Sequence, residues 1–532
     1  MSAGVAADPS LGRLADAILI PPFPGRQAPA WVLAALGEGL GGVTVFGPNI
    51  ADLAQLGALI ARLRGCADEP LIAIDEEGGD VTRIAHRSGS PYPGNAALGA
   101  VDDVALTEAV YGALGGDLAA LGVNLDLAPS VDVNSAADNP VIGTRSFGSD
   151  TPLVARHAAA AVAGLQSAGV AACAKHFPGH GSTRTDTHDA IAMVDAPMAL
   201  LARRDLPPFV AAIEAGARAV MPGHLRVPEL TGDLPASLSR AALTGLLRGE
   251  LGFTGVIVSD ALEMRAVSEP YGLPEAAVLA VAAGTDLLCL GRDTSRLTYL
   301  AVRDALVAAV GTGRLPGARL EEAAARVAEL RAWAAAARAT TALRGAGPGR
   351  ASAARASAAR RDVGLTAARR AVRIEGTPRR LTEPIVVELV PPSNIAVGTV
   401  PWGLSSWVPG DCIRRISTST AAADPPAPAA LARAADAAVA SAADRSLVIV
   451  VRDAHRYPAV RAVVQRLLAA RPDGIVVEMG LPVWRPPAAV YIATFGAART
   501  SCQAAAETLG LAAGPRTRRR AFARSDRRPA PG

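Results

Sequence analysis

The sequence predicts an α/β protein: a (β/α)8 TIM-like barrel followed by a smaller αβα layered domain. Three observations carry that expectation. Short β-branched or apolar runs recur at the spacing that one strand, one helix and two loops require. Polar residues cluster just after those runs, where the strand ends of a barrel meet on one rim. Half of the 532 residues are hydrophobic but only 4% are aromatic, so Ala, Val and Leu must build an interior of small-residue helix–sheet contacts. The length also exceeds one ordinary core.

In chain order the expected barrel strands are Ala17–Ile20, Val43–Phe46, Leu71–Ile74, Val123–Leu127, Val170–Ala174, Ala217–Met221, Val256–Val258 and Leu287–Leu290. They assign residues 1–335 to the barrel. Residues 336–363 are rich in Ala, Arg, Gly and Ser around a Gly-Ala-Gly-Pro-Gly break, and read as a poorly packed linker with some helical tendency. Strand-like runs resume at Ile385–Leu389, Leu447–Val451, Ile475–Met479 and Val490–Thr494, which places the second domain at 364–514. Residues 515–532 form a basic tail expected to be disordered.

The net charge of +4 resides in that tail, so the body has no nucleic-acid footprint. No apolar stretch is expected to span a bilayer, and residues 1–27 lack the pattern of a secretory leader. Five cysteines, odd in number and without ligand or redox spacing, favour reduced thiols in a cytoplasmic compartment.

The chemistry concentrates in Lys175-His176-Phe-Pro-Gly-His180-Gly181, followed by Asp186-Thr187-His188, which takes three of the chain's 7 histidines. It begins where the apolar strand 170–174 runs out. Pro178, Gly179 and Gly181 then allow a tight, ligand-hugging loop with positive φ. Zinc would ask for closer histidine pairs or cysteine partners, and Cys173 alternates into the core. Five polar groups converging on one strand end therefore mark a functional site without a metal.

Three further segments join it. Asp260 is delivered to a strand end by Gly255-Val-Ile-Val-Ser259, where it could attack an electrophilic carbon or ligate a metal. The alternative is a helix N-cap. Glu263 is expected to point elsewhere, in the following helix. Asp75-Glu-Glu-Gly-Gly-Asp80-Val-Thr-Arg83 makes a tight loop whose carboxylates could accept two sugar hydroxyls beside Arg83. Calcium is the competing use, but the spacing does not fit an EF-hand. The Asn/Asp/Gly-rich loop 124–148 presents Arg145 as a hydrogen-bond donor to a polar substrate.

Together these segments resemble glycoside hydrolase family 3, in its β-N-acetylglucosaminidase branch of the NagZ type. The resemblance runs from about Leu14 to Leu330. It rests on Asp75-Glu-Glu-Gly-Gly, Pro93-Gly-Asn-Ala-Ala-Leu-Gly99, Asn139-Pro-Val-Ile-Gly-Thr-Arg-Ser-Phe-Gly148, Lys175 to Gly181 with Asp186-Thr-His188, and Ser259-Asp-Ala-Leu-Glu-Met264. Thr187 replaces the more usual serine, and Asp80 stands where the family often has arginine. The second domain resembles the αβα domain of the longer members.

The resemblance implies a retaining, exo-acting enzyme without metal or cofactor. Asp260 would be the nucleophile, and His188, polarised by Asp186, the general acid/base in place of the usual carboxylic acid. Asp75, Arg83, Arg145, Lys175 and His176 would hold the sugar. The implied substrate is a small GlcNAc-terminated carbohydrate such as a cytoplasmic muropeptide, with no nucleic-acid or membrane partner, and the protein would be a monomer or weak oligomer. A phosphorylase and a catalytically silent sugar-binding protein are the alternatives.

Overall fold

The computed structural model describes residues 9–185, 191–292, 294–345, 350–378, 380–392, 396–419 and 426–511, with backbone alone at residue 9, 341–345 and 350–357. The chain divides into two compact units. One is Met1–Ala367 with Asn394–Val400; the other is Ala368–Ser393 with Pro401–Gly532.

In the first unit the strands are β1 (Gly42–Val45), β2 (Leu71–Ile74), β3 (Leu125–Asp126), β4 (Ala171–Phe177), β5 (Ala192–Met193), β6 (Ala219–Pro222), β7 (Leu225–Arg226) and β8 (Val256–Ile257). β1, β2, β3, β4, β6 and β8 pair in that order, all parallel. Bridges Val258–Leu287 and Leu19–Leu288 carry the curl onward, and the Thr44 hydroxyl donates to the Ile20 carbonyl at 3.0 Å. All eight expected runs therefore stand in one ring of strands. The first and last contribute single bridges, because Pro9–Ala17 is helix and leaves only Ile18–Ile20 extended. β5 and β7 form a separate parallel pair.

Local chemistry explains this alternation. β2, Leu-Ile-Ala-Ile, is buried at every residue, as a strand between a barrel interior and its helices must be. The helices Leu53–Arg64, Val104–Leu121, Thr151–Ser167 and Arg296–Gly311 start behind Asp52, Asp103, Asp150 and Ser295, whose side chains each accept a main-chain N–H of the first turn. Val104–Leu121 is long and apolar enough by length and composition to cross a membrane, although Glu108 and Asp117 interrupt its apolar run. In the barrel it packs on Thr151–Ser167, and its Asp117 accepts from Tyr92 Oη at 2.6 Å and Arg360 Nε at 2.7 Å.

The stretch expected as a linker is helical on both sides of its Gly-Pro break, over Gly317–Gly345 and Arg350–Ala371. Alanine and arginine are strong helix formers, and their propensity outweighs the low complexity there. In the second unit the strands are β9 (Arg373–Glu375), β10 (Ile385–Val390), β11 (Ile413–Ser417), β12 (Leu447–Val451), β13 (Ile475–Glu478) and β14 (Val490–Ala493). Their order is β11-β10-β12-β13-β14-β9, parallel except for β9. One apolar cluster joins a face of this sheet to helices Pro428–Ala442 and Pro458–Ala470, and a second joins the other face to Arg499–Thr508. This is the αβα layering. The second unit's Asp453 is structural: its carboxylate accepts the Leu481 N–H at 2.9 Å.

Candidate active site

A cavity of about 460 Å3 lies at the C-terminal ends of the barrel strands and is lined by Asp75, Arg83, Arg145, Lys175, His176 and Asp260. Six of the eight residues singled out from the sequence thus meet in one place, although 185 positions separate the first from the last. Asp186 and His188 lie outside the described residues.

The floor is a charge network. Lys175, at the end of β4, puts Nζ 2.5 Å from Asp75 Oδ1 and 2.7 Å from Glu77 Oε1. Arg83 Nη2 donates to Asp75 Oδ2 at 2.8 Å. Arg145 forks onto Glu77, with Nε to Oε2 at 2.9 Å and Nη2 to Oε1 at 2.7 Å. Burial raises the pKa of the Asp75 and Glu77 carboxyls, but the adjacent cations outweigh it and hold both below the ordinary carboxylate range. For Lys175 burial favours the neutral amine, and Asp75 and Glu77 reverse that, so its ammonium is firmly charged.

His176 ties this network to a second one. Arg145 Nη2 approaches His176 Nε2 at 3.2 Å, and a guanidinium can only donate. Nε2 therefore accepts, and Nδ1 carries the proton it donates to Asp132 Oδ2 at 2.7 Å. Asp132 also accepts from Ser130 Oγ at 3.0 Å and from the His180 N–H at 2.6 Å. Burial pushes the His180 imidazole down to about 4, and its Nδ1 lies 2.7 Å from Thr183 Oγ1. His176 thus aims Arg145 and also lines the cavity itself. Gly179 has the expected positive φ of 127°; Gly181 is needed instead because a Cβ there would overlap the Val133 carbonyl.

Two more buried carboxyls lie behind the floor. Glu76 Oε2 accepts from Arg83 N at 2.7 Å and Ile84 N at 3.0 Å, and Asp126 Oδ1 accepts from Glu76 N at 3.0 Å. Their other oxygens, Glu76 Oε1 and Asp126 Oδ2, have no hydrogen-bond partner among the described residues. Burial raises Asp126 far above the ordinary range and Glu76 from 4.5 to about 7. An acid whose pKa is raised by folding stabilises the fold below its unfolded pKa, and that contribution is lost as pH rises through the folded value. Thermal stability should therefore decline between pH 4.5 and about 7 through Glu76, and Glu76→Gln should remove that part of the slope in melting curves taken across the window. An unchanged slope in the variant would assign the titration to another group.

Asp260 follows β8 and accepts the Ala261 N–H at 2.8 Å on Oδ1, while the next helix begins only at Arg265. It is not a helix cap. Ser259 Oγ accepts from Cys289 N at 2.9 Å, and His224 Nε2 donates to the Ala261 carbonyl at 3.1 Å, so the loop is braced on both sides of Asp260. Glu263 corrects the expectation that it points elsewhere. It precedes the helix, lines the same cavity and accepts the Arg292 N–H at 2.5 Å.

Glu77 and Asp132 complete the site and were not expected as site residues, whereas His180 belongs to the expected cluster and His224 follows the expected strand run 217–221. One signal was available: Lys175 is the only lysine in a chain with 53 basic residues, so an ammonium is retained there where arginine serves everywhere else. A further wall of the cavity comes from Ala396–Val400, and the Ala396 carbonyl accepts Arg83 Nη2 at 3.0 Å. Asp80, where the resembling family often has arginine, accepts Thr144 Oγ1 at 2.7 Å and so fastens the acidic loop to the loop carrying Arg145. No cluster of three or more His, Cys, Asp or Glu that could hold a metal occurs among the described residues.

Paired carboxylates and cations at the C-terminal end of a parallel barrel, with the Asp260 carboxylate in the same lining, can offer charge-assisted hydrogen bonds to a polar ligand. The chain belongs to glycosyl hydrolase family 3, whose N-terminal domain description matches residues 26–330. It is 38% identical over 281 residues to β-hexosaminidase LpqI of Mycobacterium tuberculosis, covering 52% of this chain and 71% of that protein. β-Hexosaminidase A of Pseudoalteromonas piscicida is 34% identical over 320 residues, and the chain spans about half of its length (53%). Among solved structures, a family 3 β-N-acetylglucosaminidase from Paenibacillus sp. strain FPU-7 superposes with a TM-score of 0.80 at 31% identity, covering 94% of this chain and 97% of that one.

Proposed function

We propose that the protein is a retaining exo-β-N-acetylglucosaminidase that removes terminal GlcNAc from glycosides such as cytoplasmic muropeptides. The observation that carries this reading is the meeting of Asp260 with the Asp75–Lys175–Glu77–Arg145 network in one cavity. The names of the relatives and the 94% coverage by an acetylglucosaminidase structure support the substrate. Five free cysteines fit a reducing compartment.

In this reading the sugar rests on the floor, where Asp75, Arg83, Lys175 and Arg145 offer charge-assisted hydrogen bonds to its hydroxyls and acetamido group. Asp260 attacks the anomeric carbon as the aglycone leaves, and water then releases the sugar from the covalent intermediate. His188 protonates the leaving oxygen and afterwards takes the proton of the attacking water, with Asp186 orienting the imidazole. The experiment is turnover of p-nitrophenyl-β-GlcNAc with and without inorganic phosphate. Free GlcNAc at a phosphate-independent rate is expected; GlcNAc-1-phosphate would make the enzyme a phosphorylase.

The assignment of His188 has its own signature. His188→Ala should slow glycosides with poor leaving groups by roughly 10²–10⁴-fold and spare activated aryl glycosides, whose departure needs little protonation. Comparing kcat/KM over a series of aryl leaving groups checks this. A uniform loss across the series would make His188 a binding residue.

A further inference from the structure

The cations lining the cavity fall into two sets. The inner three are buried or half-buried in ion pairs: Lys175 with Asp75 and Glu77, Arg145 with Glu77, and Arg83 with Asp75. The outer three, Arg26, Arg87 and Arg292, are exposed, and their side chains enter no ion pair or hydrogen bond among the described residues. Arg26 follows the strand run Ile18–Ile20, Arg87 lies in the loop after β2, and Arg292 follows the last run, Leu287–Leu290. The last run bridges the first, the first is tied to β1, and β1 pairs with β2. The three arginines therefore occupy one continuous arc of the rim. The acids Asp260 and Glu263 stand on the loop after β8, and Glu263 already accepts the Arg292 main-chain N–H. This arc is not an average property of the surface, because the chain outside its basic tail is slightly acidic.

We propose that the Arg26–Arg87–Arg292 arc selects aglycones that carry a carboxylate or phosphate, once the terminal sugar occupies the floor; this rests on the functional reading above. Unpaired guanidiniums at a cavity mouth attract an anion over a Debye length and can fork onto carboxylate or phosphate oxygens. The inner cations are each held in an ion pair and, in the reading above, face the terminal sugar, so the exposed arc is what remains for the aglycone. A carboxylated sugar and a phosphorylated acceptor present the same chemistry to the arc, and the probes below separate them.

The test uses the full chain and three aryl β-GlcNAc glycosides matched in leaving-group acidity, carrying a carboxylate, a phosphate monoester or a neutral carboxamide. Wild type should prefer at least one anionic probe by on the order of tenfold in kcat/KM at low salt, with the ratio shrinking as NaCl is raised. Preference for the carboxylate or for the phosphate identifies the source. In R26A/R87A/R292A the ratio should fall to near one, and R26K/R87K/R292K should keep most of it. Turnover of the neutral probe with no anionic preference, or a preference that survives the triple alanine variant, overturns the proposal. Stimulation of wild type by inorganic phosphate, with GlcNAc-1-phosphate as product, overturns it too, because the arc would then serve the acceptor. If wild type cleaves none of the three, the functional reading fails and the proposal fails with it.

Discussion

Asp260→Ala should lower turnover of every GlcNAc glycoside by at least about 10⁴-fold while leaving the melting temperature close to that of wild type. The size follows from chemistry: a methyl group cannot form the covalent bond to the anomeric carbon, and the neighbouring carboxylates of the cavity are held by other groups. Asp75 and Glu77 are neutralised by Lys175, Arg83 and Arg145, and Glu263 holds the Arg292 N–H. The small effect on stability follows from structure. Asp260 is only partly buried and its Oδ1 accepts the neighbouring N–H of Ala261, while Ser259 and His224 brace the loop independently. Kinetics on p-nitrophenyl-β-GlcNAc beside thermal melts checks both parts. A variant that keeps a tenth of wild-type kcat would remove Asp260 from the reaction.

Lys175 should show the opposite profile, with activity and stability falling together. Its side chain is 3% exposed and its ammonium sits between Asp75 and Glu77. Lys175→Met keeps the volume and removes the charge, which leaves two buried carboxylates sharing Arg83 and Arg145. Breaking such a buried network costs about 3–5 kcal/mol of stability. kcat/KM should fall roughly 10²–10³-fold, because Asp75 and Arg145 lose the group that fixes their spacing. Lys175→Arg should not rescue: a planar fork cannot replace a point donor placed 2.5 and 2.7 Å from two different carboxylates. Full activity in Lys175→Arg would mean that positive charge alone is required there.

These residues differ in how readily the sequence betrays them. Lys175 and His176 stand out because a lysine and histidines crowd a Gly-Pro-rich strand end, and Asp260 because the apolar run Val256–Val258 leads up to it. The barrel strands are legible for the same reason, since a strand buried on both faces must be an unbroken apolar run. β9 and β11 are not: Arg-Ile-Glu and Ile-Arg-Arg-Ile-Ser carry charge on edge strands that solvent still reaches. Glu77 was hidden by its neighbours, because three adjacent acids look alike until the loop turns one toward Arg145, another toward Lys175 and Arg83, and buries Glu76 behind them. Asp132 was hidden because its partners His176 and His180 lie more than forty residues away. The wall Ala396–Val400 bears no reactive side chain, and the rim arginines resemble every other arginine in an arginine-rich chain. Only their convergence in space gives them meaning.

In the proposed mechanism Asp260 forms the covalent glycosyl-enzyme. The most direct test is inactivation with a fluorinated GlcNAc-type substrate whose glycosyl-enzyme turns over slowly, followed by proteolysis and mass-spectrometric mapping of the label. One sugar per chain is expected on the peptide containing Ser259-Asp260-Ala261, with no labelling of Asp260→Ala. A label on Asp75, Glu77 or Glu263, or stoichiometric labelling of the Asp260→Ala protein, would contradict that mechanism.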